Sequence, residues 1–173
     1  MTGVQTCALP IFDNMFHTVR DLALGLRPSM LDDFGLQPAL EWHVRDFTSR
    51  YGLNVELNMD GDFEILPDRY RTCVYRAVQE ALTNCVRHAK ASAINVSVTS
   101  HRDHLNVSVT DDGIGFDSAR RGNGLGLRGI EERVKEIHGA MMIGHADDGG
   151  TKLVIRLPLP ARQIEVPLAR AAG

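Results

Sequence analysis

Between residues 80 and 127 a helical stretch carrying a short polar stripe runs directly into two glycine-bearing loops, and this succession constrains the chain more than any other feature. It reads "QEALTNCVRHAKA", then "VTDDGIGF" (Val109 to Phe116), then "GNGLGLRGIEERV" (Gly122 to Val134). At about 100° per residue, Glu80, Asn84, Arg87 and His88 fall on one narrow helix face. Beside them Tyr70, Val74, Ala77, Val78, Ala81, Leu82, Cys85 and Ala89 form a broad apolar stripe. A carboxylate, a neutral oxygen donor and two potential cations thus share one edge of a half-buried helix.

Oxygen donors of this kind suit Mg²⁺, which keeps several waters and takes only one or two protein ligands beside substrate phosphates. Asn84 can supply such a ligand, Arg87 and His88 can face phosphate, and Glu80 can hold or polarise an attacking group. Read alone, the stripe also fits a solvated face with i, i+4 polar pairs. The second piece adds weight to the first reading. "LNVSVTDDGIGF" is a period-2 strand, with Leu105, Val107 and Val109 on one face, entering an acidic turn with Gly113 and Gly115. Asp111 at its end can accept a hydrogen bond from an exocyclic amino group such as that of adenine; an ordinary Asp-Asp-Gly turn is the alternative. The acidic spacing of a calcium-binding hand is missing.

In the third piece Gly124, Gly126 and Gly129 satisfy G-x-G-x-x-G, yet the preceding "DSARRGN" is polar and loop-like where a dinucleotide fold needs an apolar strand. The stretch reads better as a lid, with glycines at 122, 124 and 126, passing into a helix from Leu125 whose free N–H groups can bind phosphate. A G-x-x-x-x-G-K-S/T phosphate loop is absent from the sequence.

In this order the three pieces resemble the N, G1 and G2 boxes of the ATPase fold shared by DNA gyrase, the heat-shock chaperones, histidine kinases and mismatch-repair ATPases. Within that fold, "LRPSMLDDFGLQPALEW" (Leu26 to Trp42) and "GLRGIEERV" are similar to the nitrate-sensor class of bacterial histidine kinases, which pair with response regulators. The resemblance runs from about residue 12 to 160. It implies the ATP-binding catalytic part of a sensor histidine kinase, passing the γ-phosphate of Mg²⁺-ATP to a histidine for relay to a response regulator. By the same resemblance Asn84 takes Mg²⁺, Arg87 and His88 take phosphates, Asp111 takes adenine, and Glu80 orients or deprotonates the acceptor. Gly113 and Gly115 allow close contact with the base, while Gly122, Gly124, Leu125, Gly126 and Leu127 belong to the lid over ATP. Thr151, after Gly149 and Gly150, matches a third glycine box and helps bind the base.

The family's phosphoacceptor histidine, followed at once by an acid, would lie on the first helix of a dimerisation hairpin. His17 is followed by Thr18, so it does not match, and this chain is expected not to autophosphorylate. In the full-length protein the hairpin would make a homodimer. A rival of another class is a nucleotide-regulated binding module of the same fold, anti-sigma-factor-like. The Leu26 to Trp42 segment and a helical arm, which such a module would not need, stand against it.

Composition sets the outer limits. With 173 residues, 43% hydrophobic and 24% charged, the chain has room for one ordinary domain and an extra element. A net charge of −3 offers no basic field for nucleic acid. Without an apolar run of membrane-spanning length or a signal peptide, the chain is expected to be cytoplasmic and to make no direct membrane contact, its parent being an inner-membrane sensor. Three cysteines in no framework spacing suggest reduced thiols, with Cys73 and Cys85 packed in the core.

Residues 1–11, "MTGVQTCALPI", have no periodicity and back-translate to a sequencing adapter with GTG as start codon, so they are read as non-native. Residues 12–30 carry a heptad seam through Phe12, Phe16, Val19, Ala23 and Leu26 that predicts a helix packed on another helix, which the resemblance implies is the second helix of the dimerisation hairpin, a helix lying on its own domain being the alternative. The catalytic domain is set at 31–160, and 161–173 reads as a disordered tail. Within the domain the patterning predicts a turn after Pro28, a helix over 36–51 stopped by Gly52, and a strand over 53–59. A helix opened by Pro67 follows, then a hairpin over 93–100 and 104–111, a helix over 125–138, and a second hairpin through "DDGG". The expected class is α+β: a two-layer α/β sandwich whose mixed sheet of about five strands is covered on one face by three helices, after a helical arm.

Overall fold

The computed structural model describes residues 29–115, 125–147 and 149–160. The heptad arm, His17, the stretch 1–11, Gly122, Gly124 and the tail 161–173 lie outside the described residues.

Five strands form one mixed sheet: β1 (Asn54–Asp60), β2 (Ala93–Ser100), β3 (His104–Asp111), β4 (Ala140–His145) and β5 (Thr151–Pro158). Their order is β1-β2-β3-β5-β4. β1 runs parallel to β2 and every other pairing is antiparallel. The parallel pair follows from its long helical connection, short hairpins join β2 to β3 and β4 to β5, and the antiparallel pair β3–β5 is reached through α4 and β4. Period-2 alternation sends Ile94, Val96 and Val98 of β2, Leu105, Val107 and Val109 of β3, and Leu153, Ile155 and Leu157 of β5 into the core.

The helices are α1 (Ser29–Phe34), α2 (Leu36–Tyr51), α3 (Asp68–Asn84) and α4 (Leu125–Glu136). α2 buries Leu36, Ala39, Leu40, Val44 and Phe47. It stops as predicted at Gly52, which takes left-handed geometry (φ 68°) and donates its N–H to the Thr48 carbonyl at 2.9 Å. Along α3 and the turn that continues it every residue of the predicted apolar stripe is buried, and Tyr70 ties the helix to β5 by donating its hydroxyl to the Pro158 carbonyl at 2.8 Å. Each fully buried leucine or valine here contributes about 1.5–3 kcal/mol relative to exposure. His43 of α2 packs its ring against Tyr75, with ring centres 5.5 Å apart, and burial pushes its pKa down.

Three local features differ from the sequence reading. The segment after Pro28 is a short helix, α1, because Leu31 is fully buried and tertiary packing stabilises a helix too short to persist alone. α4 ends two residues before His138, which adopts φ 58° and donates its N–H to the Lys135 carbonyl, while the Gly139 N–H reaches Val134. Most consequential for the site, α3 passes into a π-helical turn over Cys85–Ala89 that ends at Lys90 in left-handed geometry. Thr83 prepares the change by turning its hydroxyl back onto the Gln79 carbonyl at 2.8 Å, a bond that bends helices.

Candidate functional site

Asp111 occupies a position that period-2 alternation reserves for the core. Leu105, Val107, Val109 and Asp111 are the four buried residues of β3, so a carboxylate stands where a fourth aliphatic side chain would otherwise pack. Burying a carboxylate is costly unless its oxygens are satisfied. Here Oδ1 accepts the backbone N–H of Gly113 at 2.9 Å and of Thr151 at 3.2 Å, and Oδ2 accepts the thiol of Cys85 at 3.5 Å. Residue 111 is only 6% exposed, and three donors from three separate segments fix its carboxylate.

The loop that follows is pinned against the end of the π-helical turn. Ile114 donates its N–H to the Ala89 carbonyl at 2.8 Å. Gly113 lies so close that an added Cβ would collide with that carbonyl oxygen. Asp112 points the other way and clips β2, accepting the N–H groups of Ser92 and Ala93 at 2.8 and 3.0 Å and the Ser92 hydroxyl at 2.6 Å. These bonds, the Ala93 N–H first, hold its pKa down at about 2. Neighbouring "Asp-Asp" residues therefore divide between two jobs. Gly150, at φ 81°, brings β5 so near β3 that a Cβ there would strike the Asp111 carbonyl oxygen, and only glycine permits the approach that delivers Thr151 N–H to Asp111.

On α3 the predicted polar edge holds as far as Asn84. Glu80 and Asn84 are half-buried, and the Asn84 amide nitrogen is buried without a hydrogen-bond partner among the described residues. The Glu80 carboxylate rests against Gly126 in the first turn of α4, where a Cβ would overlap both of its oxygens. Arg87 and His88 lie on the π-helical turn and are exposed, so the uniform 100° projection that grouped all four residues does not extend to this pair. Leu127 is half-buried against the core, and Leu125 begins α4. Gly115 (φ 86°) sits beside His145 of β4, which the sequence reading had not associated with these loops.

Cys85 is the other residue that sequence reasoning missed here. It was expected to be core packing and it is buried, but its thiol also faces Asp111, and burial together with that carboxylate pushes its pKa up to about 12. The i, i+4-type arithmetic of a straight helix gives no hint of a contact across 26 positions. Two open concavities, of about 780 Å³ between α2 and β1 and about 600 Å³ beside α1, lie away from this constellation and share none of its residues.

Comparison with known proteins bears on the family and the fold. The family described as histidine kinase-, DNA gyrase B- and HSP90-like ATPase matches residues 70–161. The chain is 32% identical over 151 residues to the oxygen sensor histidine kinase NreB of Staphylococcus carnosus, covering 86% of this chain and 44% of that protein. It is 36% identical over 172 residues to the sensor histidine kinase MctS of Rhizobium johnstonii, covering 94% of this chain and 37% of that protein. The chain thus spans less than half the length of these relatives. Among solved structures, the fold is similar to Acinetobacter baumannii histidine kinase AdeS (TM-score 0.60, 17% identity, covering 87% of this chain and 81% of that one). It is also similar to the Erythrobacter litoralis EL346 blue-light activated histidine kinase (TM-score 0.58, 23% identity, covering 72% and 45%). With its α+β mixed five-stranded sheet and the match across α3 to β5, the chain belongs to the histidine kinase-, DNA gyrase B- and HSP90-like ATPase family.

Proposed function

We infer that residues 31–160 bind Mg²⁺-ATP and transfer its γ-phosphate to a histidine on a dimerisation hairpin, from which it passes to a response regulator. The observation that carries this reading is the Asp111 carboxylate, buried at a core position and held by two backbone N–H groups and a thiol. Such a group suits a flat base that brings an amino donor, and adenine does so. Gly113 and Gly115 let the loop after the carboxylate pack against the Ala89 carbonyl and the His145 ring, a close protein contact and not the open space for a base that the glycine boxes suggested, and the Thr151 N–H holds the carboxylate from β5.

At the phosphate end the residues fit the metal as well. Among the described residues no group of three or more His, Cys, Asp or Glu side chains is gathered to hold a metal by itself. Mg²⁺ needs no such cage, because phosphate oxygens and waters complete its shell around one or two protein oxygens. Asn84 would be the protein ligand in this reading, and the chemistry Mg²⁺ would supply there is neutralisation of charge on the phosphates. Arg87 and His88 meet the phosphates from the π-helical turn, and the free N–H groups in the first turn of α4 bind them from the other side. Transfer exchanges the bond between the γ-phosphorus and the bridging oxygen for a phosphorus–nitrogen bond, ADP departs, and Glu80 takes up the imidazole proton.

Calorimetric titration with ATP and GTP, each with and without magnesium, tests the binding half. Selective, magnesium-dependent ATP binding supports it, and equal affinity for the two nucleotides removes the adenine assignment. Supplying a phosphoacceptor hairpin from a full-length relative, with acid-labile phosphohistidine as readout, tests the transfer half.

A further inference from the structure

The proposed base site contains a group that the family's glycine boxes do not account for, the Cys85 thiol on the second oxygen of Asp111. A carboxylate offers about four acceptor positions. Gly113 and Thr151 N–H groups take both positions on Oδ1, and the thiol takes one on Oδ2. One acceptor position remains, on the oxygen that the thiol touches.

We propose that Cys85 is a positioning residue for nucleotide selection: its S–H···Oδ2 bond sets the rotation of the Asp111 carboxylate and leaves a single acceptor, matched to the 6-amino group of adenine. This rests on the reading of the site as an ATP site. Cys85 opens the π-helical turn, and its N–H is shared between the Ala81 and Leu82 carbonyls, so the turn that carries Arg87 and His88 also aims the thiol across 26 positions at β3. The side chain is 5% exposed, which keeps water from replacing the thiol as donor. The thiol's pKa, pushed up to about 12 by burial and by Asp111, keeps it a donor at every physiological pH. A 6-oxo purine presents an acceptor to an acceptor and is rejected, whereas a purine with hydrogen at position 6 simply leaves the last acceptor unpaired.

The test measures affinities for ATP, GTP and purine riboside 5′-triphosphate, which lacks the 6-amino group, by calorimetry on wild type, Cys85→Ser and Cys85→Val. Wild type should prefer ATP over purine riboside triphosphate by about tenfold or more, the worth of a hydrogen bond to a charged group. Cys85→Ser, which keeps a donor, should retain most of that ratio, and Cys85→Val, which fills the space without donating, should reduce it to less than about threefold. A residue that only packs would lower affinity for all three nucleotides alike and leave the ratio unchanged, and that result in folded Cys85→Val overturns the proposal. Should Cys85→Val not fold, Cys85→Ala carries the same comparison. Wild type that binds none of the three sinks the nucleotide reading itself, an outcome distinct from an unchanged ratio.

Discussion

The backbone N–H of Thr151 reaches Oδ1 of Asp111 at 3.2 Å, joining the first residue of β5 to the last residue of β3. Two loops far apart in the sequence are thereby made into one wall of the site, with Gly150 allowing the close approach. The carboxylate is the keystone of that wall.

Replacing it tests both structure and recognition. Asp111→Asn exchanges one acceptor oxygen for a donor and weakens bonds from Gly113, Thr151 or Cys85, so ATP affinity should fall by about tenfold or more, in line with the 1.5–3 kcal/mol typical of a charge-assisted bond. Calorimetry on wild type and variant, with circular dichroism to confirm the fold, reads the outcome. Undiminished ATP affinity would detach Asp111 from the base.

Asn84→Ala should abolish the tightening of ATP by magnesium while leaving helix content unchanged. The side chain is half-buried and its amide nitrogen has no partner among the described residues, so little of the packing depends on it. Magnesium dependence that survives in the variant excludes Asn84 as ligand.

Gly126→Ala should act through Glu80. The new Cβ overlaps the Glu80 carboxylate, the movable end of a flexible side chain, so the carboxylate swings away and stability changes by no more than about 0.5–1 kcal/mol. Phosphotransfer to a supplied hairpin should fall about as far as in Glu80→Gln, and the double variant should be no worse than either single one. Additive losses would show that the two residues act separately.

Alkaline pH should destabilise the domain through its two buried thiols. Their pKa values are pushed up by burial, to about 11 for Cys73 and about 12 for Cys85, from an ordinary value of 9.0. Above pH 9 the unfolded chain releases thiol protons that the folded chain retains, so the stability these groups contribute is intact below pH 9 and lost as pH rises through 11–12. Urea midpoints measured at pH 7 and pH 10.5 should diverge in wild type and converge in Cys73→Ala/Cys85→Ala. A divergence of equal size in the double variant assigns the effect to other groups.

Much of the fold was legible in the sequence because local periodicity suffices for it. The alternation in "AINVSVTS" and "HLNVSVTD" fixed β2 and β3 to the residue, and Gly52 fixed the end of α2, since pleat and left-handed caps are properties of a few neighbouring residues. Asp111 was legible as a candidate from its strand end and glycines, and its core-facing phase was readable from Leu105, Val107 and Val109. What tertiary structure decided is which groups meet. The π-helical turn at Cys85–Ala89, which separates Arg87 and His88 from the regular face of Glu80 and Asn84, inserts one residue into a helix whose sequence reads as uniform. α1 exists because Leu31 is fully buried in the core, a tertiary gain that six residues cannot supply by themselves. The bonds from Cys85 and Thr151 to Asp111 cross 26 and 40 positions. The sequence determined the elements and the residue types at the site, for these follow from short-range sterics and hydrophobic phase. Only packing of the sheet against α3 decided that a thiol, two backbone N–H groups and one carboxylate would share a single buried point.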